Sequence, residues 1–461
     1  MGLASGLFYS TDGDKQSLHR RITPTRQQKD DQKERWKSLR NYLVEVLEPL
    51  SECNIRSWLQ GSYKFRTQIR PMGNVREFDI DLGIYFEWKN GPNGYGIEYT
   101  ADEVREFTLS SLLSFEHDDL KEVMLPPKKR CMRVHFEGDF HVDVPVYHFL
   151  EDQDLRRLAV EGNVWENSDP KKIYQWFVNQ FNDDRRRLAR RLIRYLKCWA
   201  ALRFKEGVGP SSILLTVLVG EMLPTIDLQT EQSDDEAFHW IVARIAARLE
   251  SNSEVRNPVD YTEVLTDRMK GPDFDNFFVK LTELERATAF ALDSETVLDA
   301  ADRWSLVFLH FFPLPEEDVV RSITESGGAI AKMSVPDVII RAAHKQNSAR
   351  VIHGRNEIRQ VPRDCVIRFT VSNLRDFPAG TLFEWTVRNE GSEAEDINDL
   401  GHPAGFGTSV KEHTAYVGRH YMDCVARHLG KVIGLRRIPV SITGAPMPPR
   451  NSKRPAYVRL R

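Results

Sequence analysis

The stretch FDIDLGIYFEW, Phe78 to Trp88, sets two aspartates into an otherwise apolar run. In an extended strand successive side chains point to opposite faces, so Asp79 and Asp81 share one face while Ile80 and Leu82 take the other. Neighbouring like charges repel, and aspartate is a poor strand former, so the pair costs stability unless something neutralises it. A divalent cation does so, since Mg2+ takes one or two carboxylates, keeps several waters and completes its shell with substrate phosphates. An isolated D-x-D reads more readily as a solvated strand end. Its surroundings reverse that reading. A third aspartate, Asp143, stands in FHVDVPVYHF with Val142 and Val144 on the other face, and Gly61-Ser62 lies upstream, Asp79 following Ser62 by 17 positions. Phosphoryl or nucleotidyl transfer needs such a set, because two metal ions held ~4 Å apart by shared carboxylates stabilise both the attacking and the leaving oxygen. On this reading Asp79 and Asp81 bridge the metals and Asp143 holds the catalytic one. Gly61 lets backbone amides approach a triphosphate, and the Ser62 hydroxyl donates to it.

The elements that must position these residues follow from periodicity. After a polar opening, Trp36, Leu39, Leu43, Val46 and Leu47 make a helical stripe. Gly61-Ser62 starts a short helix or turn that ends near Arg70-Pro71. The segments CMRVHF and FHVDVPVYHF flank Glu137-Gly138-Asp139 as a β-hairpin, and Pro145 marks the second strand as an edge or as ending there. His141, on the same face as Asp143, is read as a surface imidazole rather than a metal ligand. From Tyr174 to Phe312 the pattern is helical. In DDRRRLARRLIRYLKCWAALRF one side carries Leu188, Leu192, Tyr195, Leu196 and Trp199, and the other Arg187, Arg190, Arg194 and Lys197, by default a solvated basic face. Farther on, short strand-like runs between Gly, Pro, Asn and Asp read as a β-sandwich.

Composition bounds the partners. A chain of 461 residues implies two or three domains, and a net charge of -3 gives no global attraction to nucleic acid. The five cysteines, Cys53, Cys131, Cys198, Cys365 and Cys424, are scattered without C-x-x-C spacing, which argues against a disulfide framework or zinc site. No run approaches the ~18 apolar residues of a membrane helix, so the expectation is a cytoplasmic protein without a membrane partner.

The series GSY…DID…HVDVP resembles the nucleotidyltransferase superfamily of DNA polymerase β type, in particular the cGAS/DncV-like nucleotidyltransferases (CD-NTases) of bacterial CBASS anti-phage signalling, over roughly Leu39 to Phe312. The resemblance implies that Asp79, Asp81 and Asp143 bind two Mg2+ ions, with Mn2+ as a substitute. It also implies donor-triphosphate contacts from Lys197, in LKCWA, and from Ser211, 14 residues later in GPSSILL. A lysine is a flexible point charge suited to phosphate, and a serine opening a helix adds donors beside the positive dipole end. By default Ser211 is simply an N-cap. The implied activity joins ATP and a second NTP, GTP among the candidates, into a cyclic di- or trinucleotide that activates a downstream effector, with pyrophosphate released. Two other classes stay open: a template-independent nucleotidyltransferase acting on RNA, protein or a small molecule, and a non-catalytic nucleotide-binding module. The near-neutral charge and lack of a recognisable RNA-binding domain count against a nucleic-acid enzyme.

A second resemblance covers Trp385 to Val425. Trp385, Asn389, Gly391, Ala394, Glu412, Tyr416, Gly418 and His420 fall on the pattern of the AGS-C sensor domain, with Leu400-Gly401-His402 where a Leu-Arg-Gly is expected. It implies a regulatory ligand or protein partner there, whereas by packing alone Trp385 and Tyr416 are sandwich core. The expected architecture is therefore α+β: a polymerase-β-like nucleotidyltransferase lobe over residues 1–170, a helical second lobe over 171–340 completing the cleft, a β-sandwich-like sensor domain over 360–447, and a flexible tail over 448–461.

Overall fold

The computed structural model describes residues 2–443 except 13–15, 74, 76, 89–97, 228–232, 270, 316–333 and 345–346, so the tail expected over 448–461 lies outside the described residues. The chain divides into two compact units, Met1–Pro313 and Leu314–Arg461.

The first unit opens with α1 (Ser5–Phe8), α2 (Leu18–Ile22) and α3 (Arg26–Ser51). A capping box starts α3: the Thr25 hydroxyl accepts from Gln28 N, and the Gln28 side chain accepts from Thr25 N. Leu39, Leu43 and Leu47, spaced one turn apart, are fully buried against strand residues such as Ile80, Val134 and Val142. The sheet comprises β1 (Asn54–Gln60), β2 (Phe78–Glu87), β3 (Leu120–Val123), β4 (Met132–Phe136), β5 (Phe140–Val144), β6 (Val146–Leu150), β7 (Leu155–Val160) and β8 (Val164–Asn167). Between these strands run α4 (Gly61–Phe65) and α5 (Ala101–Leu113).

Strands β5 and β6 run end to end beside β2 and parallel to it, with β4 and β7 antiparallel on their far side and β1 antiparallel on the other side of β2. Pro145 does end β5, as expected, yet not at an edge. Its carbonyl accepts from Ile84 N at 3.0 Å, and the missing N–H falls where β4 hands over to β7, so no ladder bond is lost.

The helical part comprises α6 (Pro170–Asn179), α7 (Asp183–Arg203), α8 (Ser212–Met222), α9 (Asp234–Ser251), a ribbon of β9 (Arg256–Asn257) and β10 (Asp260–Val264), then α10 (Gly271–Leu292) and α11 (Val297–Phe308). The opening residues are not merely polar. Phe8 is fully buried, its ring edge-on to Trp304 at 4.7 Å and to Tyr195 at 5.2 Å between centroids. Among the described residues no helix is long and apolar enough to cross a membrane.

The second unit holds β11 (Val338–His344), β12 (Asn347–Arg355), β13 (Ile358–Pro362), β14 (Cys365–Val371), β15 (Leu382–Arg388), α12 (Ser392–Asp396), β16 (Gly401–Phe406), β17 (Ser409–His413), β18 (Gly418–His428) and β19 (Lys431–Thr443). Two sheets, ordered β12-β11-β14-β17 and β13-β19-β18-β15-β16, share one apolar core that includes Ile340, Phe369, Trp385 and Ile438. Trp385 is sandwich core, its indole N–H donating to the Gly407 carbonyl at 2.7 Å. Tyr416 is not: it is half-exposed and donates to Asp399.

Candidate active site

Two parallel strands build the acidic centre. The register of β2 with β5 sets Asp81 beside Asp143 and Asp79 beside His141, neighbours about 4.8 Å apart across a sheet. Along β2 the alternation holds, with Phe78, Ile80 and Leu82 buried and Asp79 and Asp81 on the open face. Burial first, then the charges of Asp79 and Asp143, push the Asp81 carboxyl well above the ordinary range. Gly61, at φ +56°, packs so closely that a Cβ there would collide with the Asp81 carboxylate. Glycine at this position therefore makes room for an acid as well as for a left-handed turn.

Asp143 is tightly held. Arg133, its cross-strand partner on β4, donates Nε to Oδ1 at 2.6 Å and Nη2 to Oδ2 at 2.8 Å, and Lys128 Nζ donates to Oδ2 at 3.2 Å. Burial opposes ionisation of Asp143, but the Arg133 hydrogen bonds and charge, aided by Lys128, hold its carboxyl below the usual value. Sequence reasoning missed Arg133 and Lys128. The hairpin could have disclosed Arg133, because a three-residue turn that pairs Phe136 with Phe140 also pairs Arg133 with Asp143.

The surface imidazole expected at residue 141 is corrected by the structure. His141 is buried, because β5 is an interior strand flanked by β2 and β4; its Nδ1 lies 2.6 Å from Glu77 Oε2 and its Nε2 lies 2.9 Å from Asp79 Oδ1. Asp79, His141 and Asp143 each bring a ligand atom within 4.8 Å of the others, which fits a metal ion.

The basic face of α7 is not left to solvent either. Arg190 Nε donates to the Phe65 carbonyl at 2.9 Å, Arg194 to the Arg66 and Gln68 carbonyls, and Lys197 Nζ to the Thr67 carbonyl at 3.1 Å. Arg187 alone of the four keeps the expected exposed role, paired with Asp184. These side chains grip the backbone just after α4, which ends at Phe65 rather than near Arg70 because Arg66 turns left-handed at φ +59°. Helix α7 thereby fixes Gly61-Ser62 relative to the aspartates. Burial, and next the charge of Arg194, lower the Lys197 ammonium to about 8, while Asp79 and Asp81 pull the other way.

Ser211 is the N-cap of α8, accepting from Leu214 N at 3.3 Å. Two cavities of about 560 and 410 Å3 share Ser62, Asp79, Lys197, Ser211, Ser212 and Arg268 as lining; the first adds Glu77, the second Gly61, Asp81 and Tyr147. The seven expected site residues are thus brought together around one pair of cavities, Asp143 through its contact with the β2 acids. Arg268, paired with Glu263 at 2.6 Å, joins them without any sequence signal that marked it.

In the second unit, Gly391 adopts φ +99° and precedes α12, Ala394 is buried within it, and His420 packs nearby, Nε2 to the Tyr416 carbonyl at 3.0 Å. Asn389 N donates to the Leu400 carbonyl, Gly418 adopts φ +138°, and Glu412 pairs with His402 at 3.2 Å.

The two units resemble domains of known proteins. Residues 55–147 match the family model of the cyclic GMP-AMP synthase DncV-like nucleotidyltransferase domain, and residues 324–443 that of the adenylyl/guanylyl and SMODS C-terminal sensor domain. A protein of Escherichia albertii named cyclic GMP-AMP synthase is 29% identical over 448 residues, 96% of each chain. A c-di-GMP synthase of Roseivirga ehrenbergii is 23% identical over 272 residues, 51% of this chain and 68% of the relative. The crystal structure of Vibrio cholerae DncV cyclic AMP-GMP synthase with the linear intermediate 5' pppA(3',5')pG superposes with a TM-score of 0.56 at 20% identity, covering 68% of this chain and 99% of that one, a likeness of fold.

Proposed function

We propose that this chain, a DncV-like nucleotidyltransferase carrying a C-terminal sensor domain, joins ATP and a second nucleoside triphosphate into a cyclic oligonucleotide with release of pyrophosphate. The observation that carries the reading is the convergence of the Asp79, Asp81 and Asp143 centre with Ser62, Lys197 and Ser211 on the same pair of cavities. In each joining step a ribose hydroxyl oxygen bonds to the α-phosphorus of another nucleotide, the bond to pyrophosphate breaks, and the hydroxyl proton leaves.

Divalent metal, Mg2+ or Mn2+, held by Asp79, Asp81 and Asp143, supplies charge neutralisation for the attacking and leaving oxygens. The chain's own groups do the positioning. Lys197 gives up its Thr67 carbonyl contact for a phosphate oxygen, which restores the charge that burial disfavours. Ser62 and the Ser211 end of α8 add hydroxyl and amide donors at the positive end of a helix. Arg133 keeps Asp143 ionised and in place. The product serves as a diffusible messenger to an effector in anti-phage signalling, and the sensor domain takes a regulatory ligand or partner. The test is incubation of the full chain with labelled ATP and GTP, singly and together, plus Mg2+ or Mn2+, followed by phosphatase digestion and mass spectrometry. A phosphatase-resistant species with the mass of a cyclic product is expected; a labelled protein or a linear, phosphatase-sensitive ladder overturns the reading.

A further inference from the structure

We propose that His141 is a nitrogen ligand of the metal site, forming with Asp79 and Asp143 a mixed imidazole–carboxylate set that works better with Mn2+ than with Mg2+. This rests on the reading of Asp79 and Asp143 as metal ligands, and adds to it a residue and a metal preference.

The side chain is 7% exposed, and its two nitrogens have different surroundings. Nδ1 lies 2.6 Å from Glu77 Oε2, a carboxylate that accepts its hydrogen, and Nε2 is the nitrogen left facing the acidic centre. Nε2 is buried without a hydrogen-bond partner among the described residues, yet lies 2.9 Å from Asp79 Oδ1. At that separation the two atoms call for a positive charge between them, a proton on Nε2 or a metal ion, and a metal ion bound here takes the proton's place. Neighbouring ligands on bonds of ~2.1 Å to one octahedral ion are about 3 Å apart. A carboxylate behind the distal ring nitrogen is also how metal-bound histidines are generally oriented, and Glu77 takes that place.

Asp143 explains why a nitrogen is needed. A carboxylate offers about four lone-pair sites, and Arg133 and Lys128 take three of them through Nε, Nη2 and Nζ. Asp143 therefore has little to give a metal alone. His141 supplies a further donor without adding charge to a site that already collects Glu77, Asp79, Asp81 and Asp143. Mg2+ demands oxygen ligands in near-ideal octahedral geometry, whereas Mn2+ shares the preference for carboxylate and phosphate oxygen and, as a first-row transition ion, also accepts an imidazole nitrogen, so Mn2+ is the ion that serves both the histidine and the phosphates.

The experiment uses the full chain, stripped by chelation and loaded with Mn2+ without nucleotide, read by electron spin-echo modulation and by titration. Wild type is expected to show coupling from one coordinated imidazole nitrogen. In His141→Asn, whose amide sits where Nδ1 was and keeps the Glu77 contact, the coupling disappears, Mn2+ binds at least about tenfold more weakly, and the Mn2+-to-Mg2+ rate ratio falls. His135→Gln, which removes the other nearby imidazole, leaves coupling and affinity as in wild type. Mn2+ binding without nitrogen coupling, or coupling that survives His141→Asn, overturns the proposal while leaving the carboxylate site standing. If wild type binds no Mn2+ at all, or Asp79→Ala and Asp143→Ala bind it as wild type does, the metal-site reading itself falls. Should His141→Asn not fold, the wild-type and His135→Gln spectra decide alone.

Discussion

Asp143 in the first unit and Asp423 in the second each face two cationic side chains, but the balance of charge around them is reversed. Asp423 is fully buried, with Arg437 Nε at 2.9 Å and Arg388 Nε on its other oxygen, one carboxylate between two guanidiniums. Burial works against its ionisation, and the charges of Arg437 and Arg388 overcome it, so its carboxyl sits below the usual range. Asp143 shares Arg133 and Lys128 with a neighbourhood that also contains Glu77, Asp79 and Asp81, and there the Asp81 carboxyl is driven up. Around Asp423 the acid is more than matched by cations, so no further positive charge is called for. The neighbourhood of Asp143 carries an excess of acid beside a cavity, which folding alone does not reward and which a bound cation relieves.

That contrast fixes the largest expected effects. Asp79→Ala, Asp81→Ala and Asp143→Ala should each lower product formation by about a thousandfold or more, since ligands of one centre act as a unit, and Asp79→Ala and Asp81→Ala should do so without lowering the melting temperature. Asp423→Ala should do the reverse: two buried guanidiniums lose their partner, costing the second unit roughly 3–5 kcal/mol, seen as an earlier thermal transition. A thermally fragile Asp81→Ala protein, or an Asp423→Ala protein as stable as wild type, breaks the comparison.

Gly61→Ala should come next. Left-handed backbone and the collision with Asp81 together cost about 1–3 kcal/mol, expected as a 10- to 100-fold loss of kcat with a modest loss of stability. A smaller effect falls on Lys197. Lys197→Ala should raise KM for NTP about tenfold more than it lowers kcat. Because the free-enzyme ammonium titrates near 8 and only the charged form attracts phosphate, wild-type KM should rise between pH 7 and 9, and Lys197→Ala should flatten that profile. The smallest effect is expected from a chain ending at Pro313: the basal rate changes while the product does not, checked by product mass and by a single retained melting transition.

Local chemistry was legible in the sequence, and long-range register was not. Strand alternation set Asp79 and Asp81 on one face, and the hairpin around Glu137-Gly138-Asp139 was written in its turn residues. The Ser211 cap was equally local. What brings Asp143 to Asp81, however, is a parallel pairing between strands some sixty residues apart, which no periodicity within either strand specifies. The same pairing buries His141, so its reading as a surface group failed for want of that neighbour. Arg190, Arg194 and Lys197 looked like a solvated stripe because the carbonyls they bind, from Phe65 to Gln68, belong to a distant turn.

The most direct test follows pyrophosphate and nucleotide together in one reaction of the full chain with ATP, GTP and Mn2+, comparing wild type with Asp81→Asn, which keeps the shape beside Gly61 and removes the charge. One pyrophosphate is expected for every NTP consumed, with all nucleotide recovered as a phosphatase-resistant cyclic species and neither signal from Asp81→Asn. Unchanged turnover in Asp81→Asn, or NTP consumption that leaves a terminal triphosphate on the product, would contradict the proposed reaction.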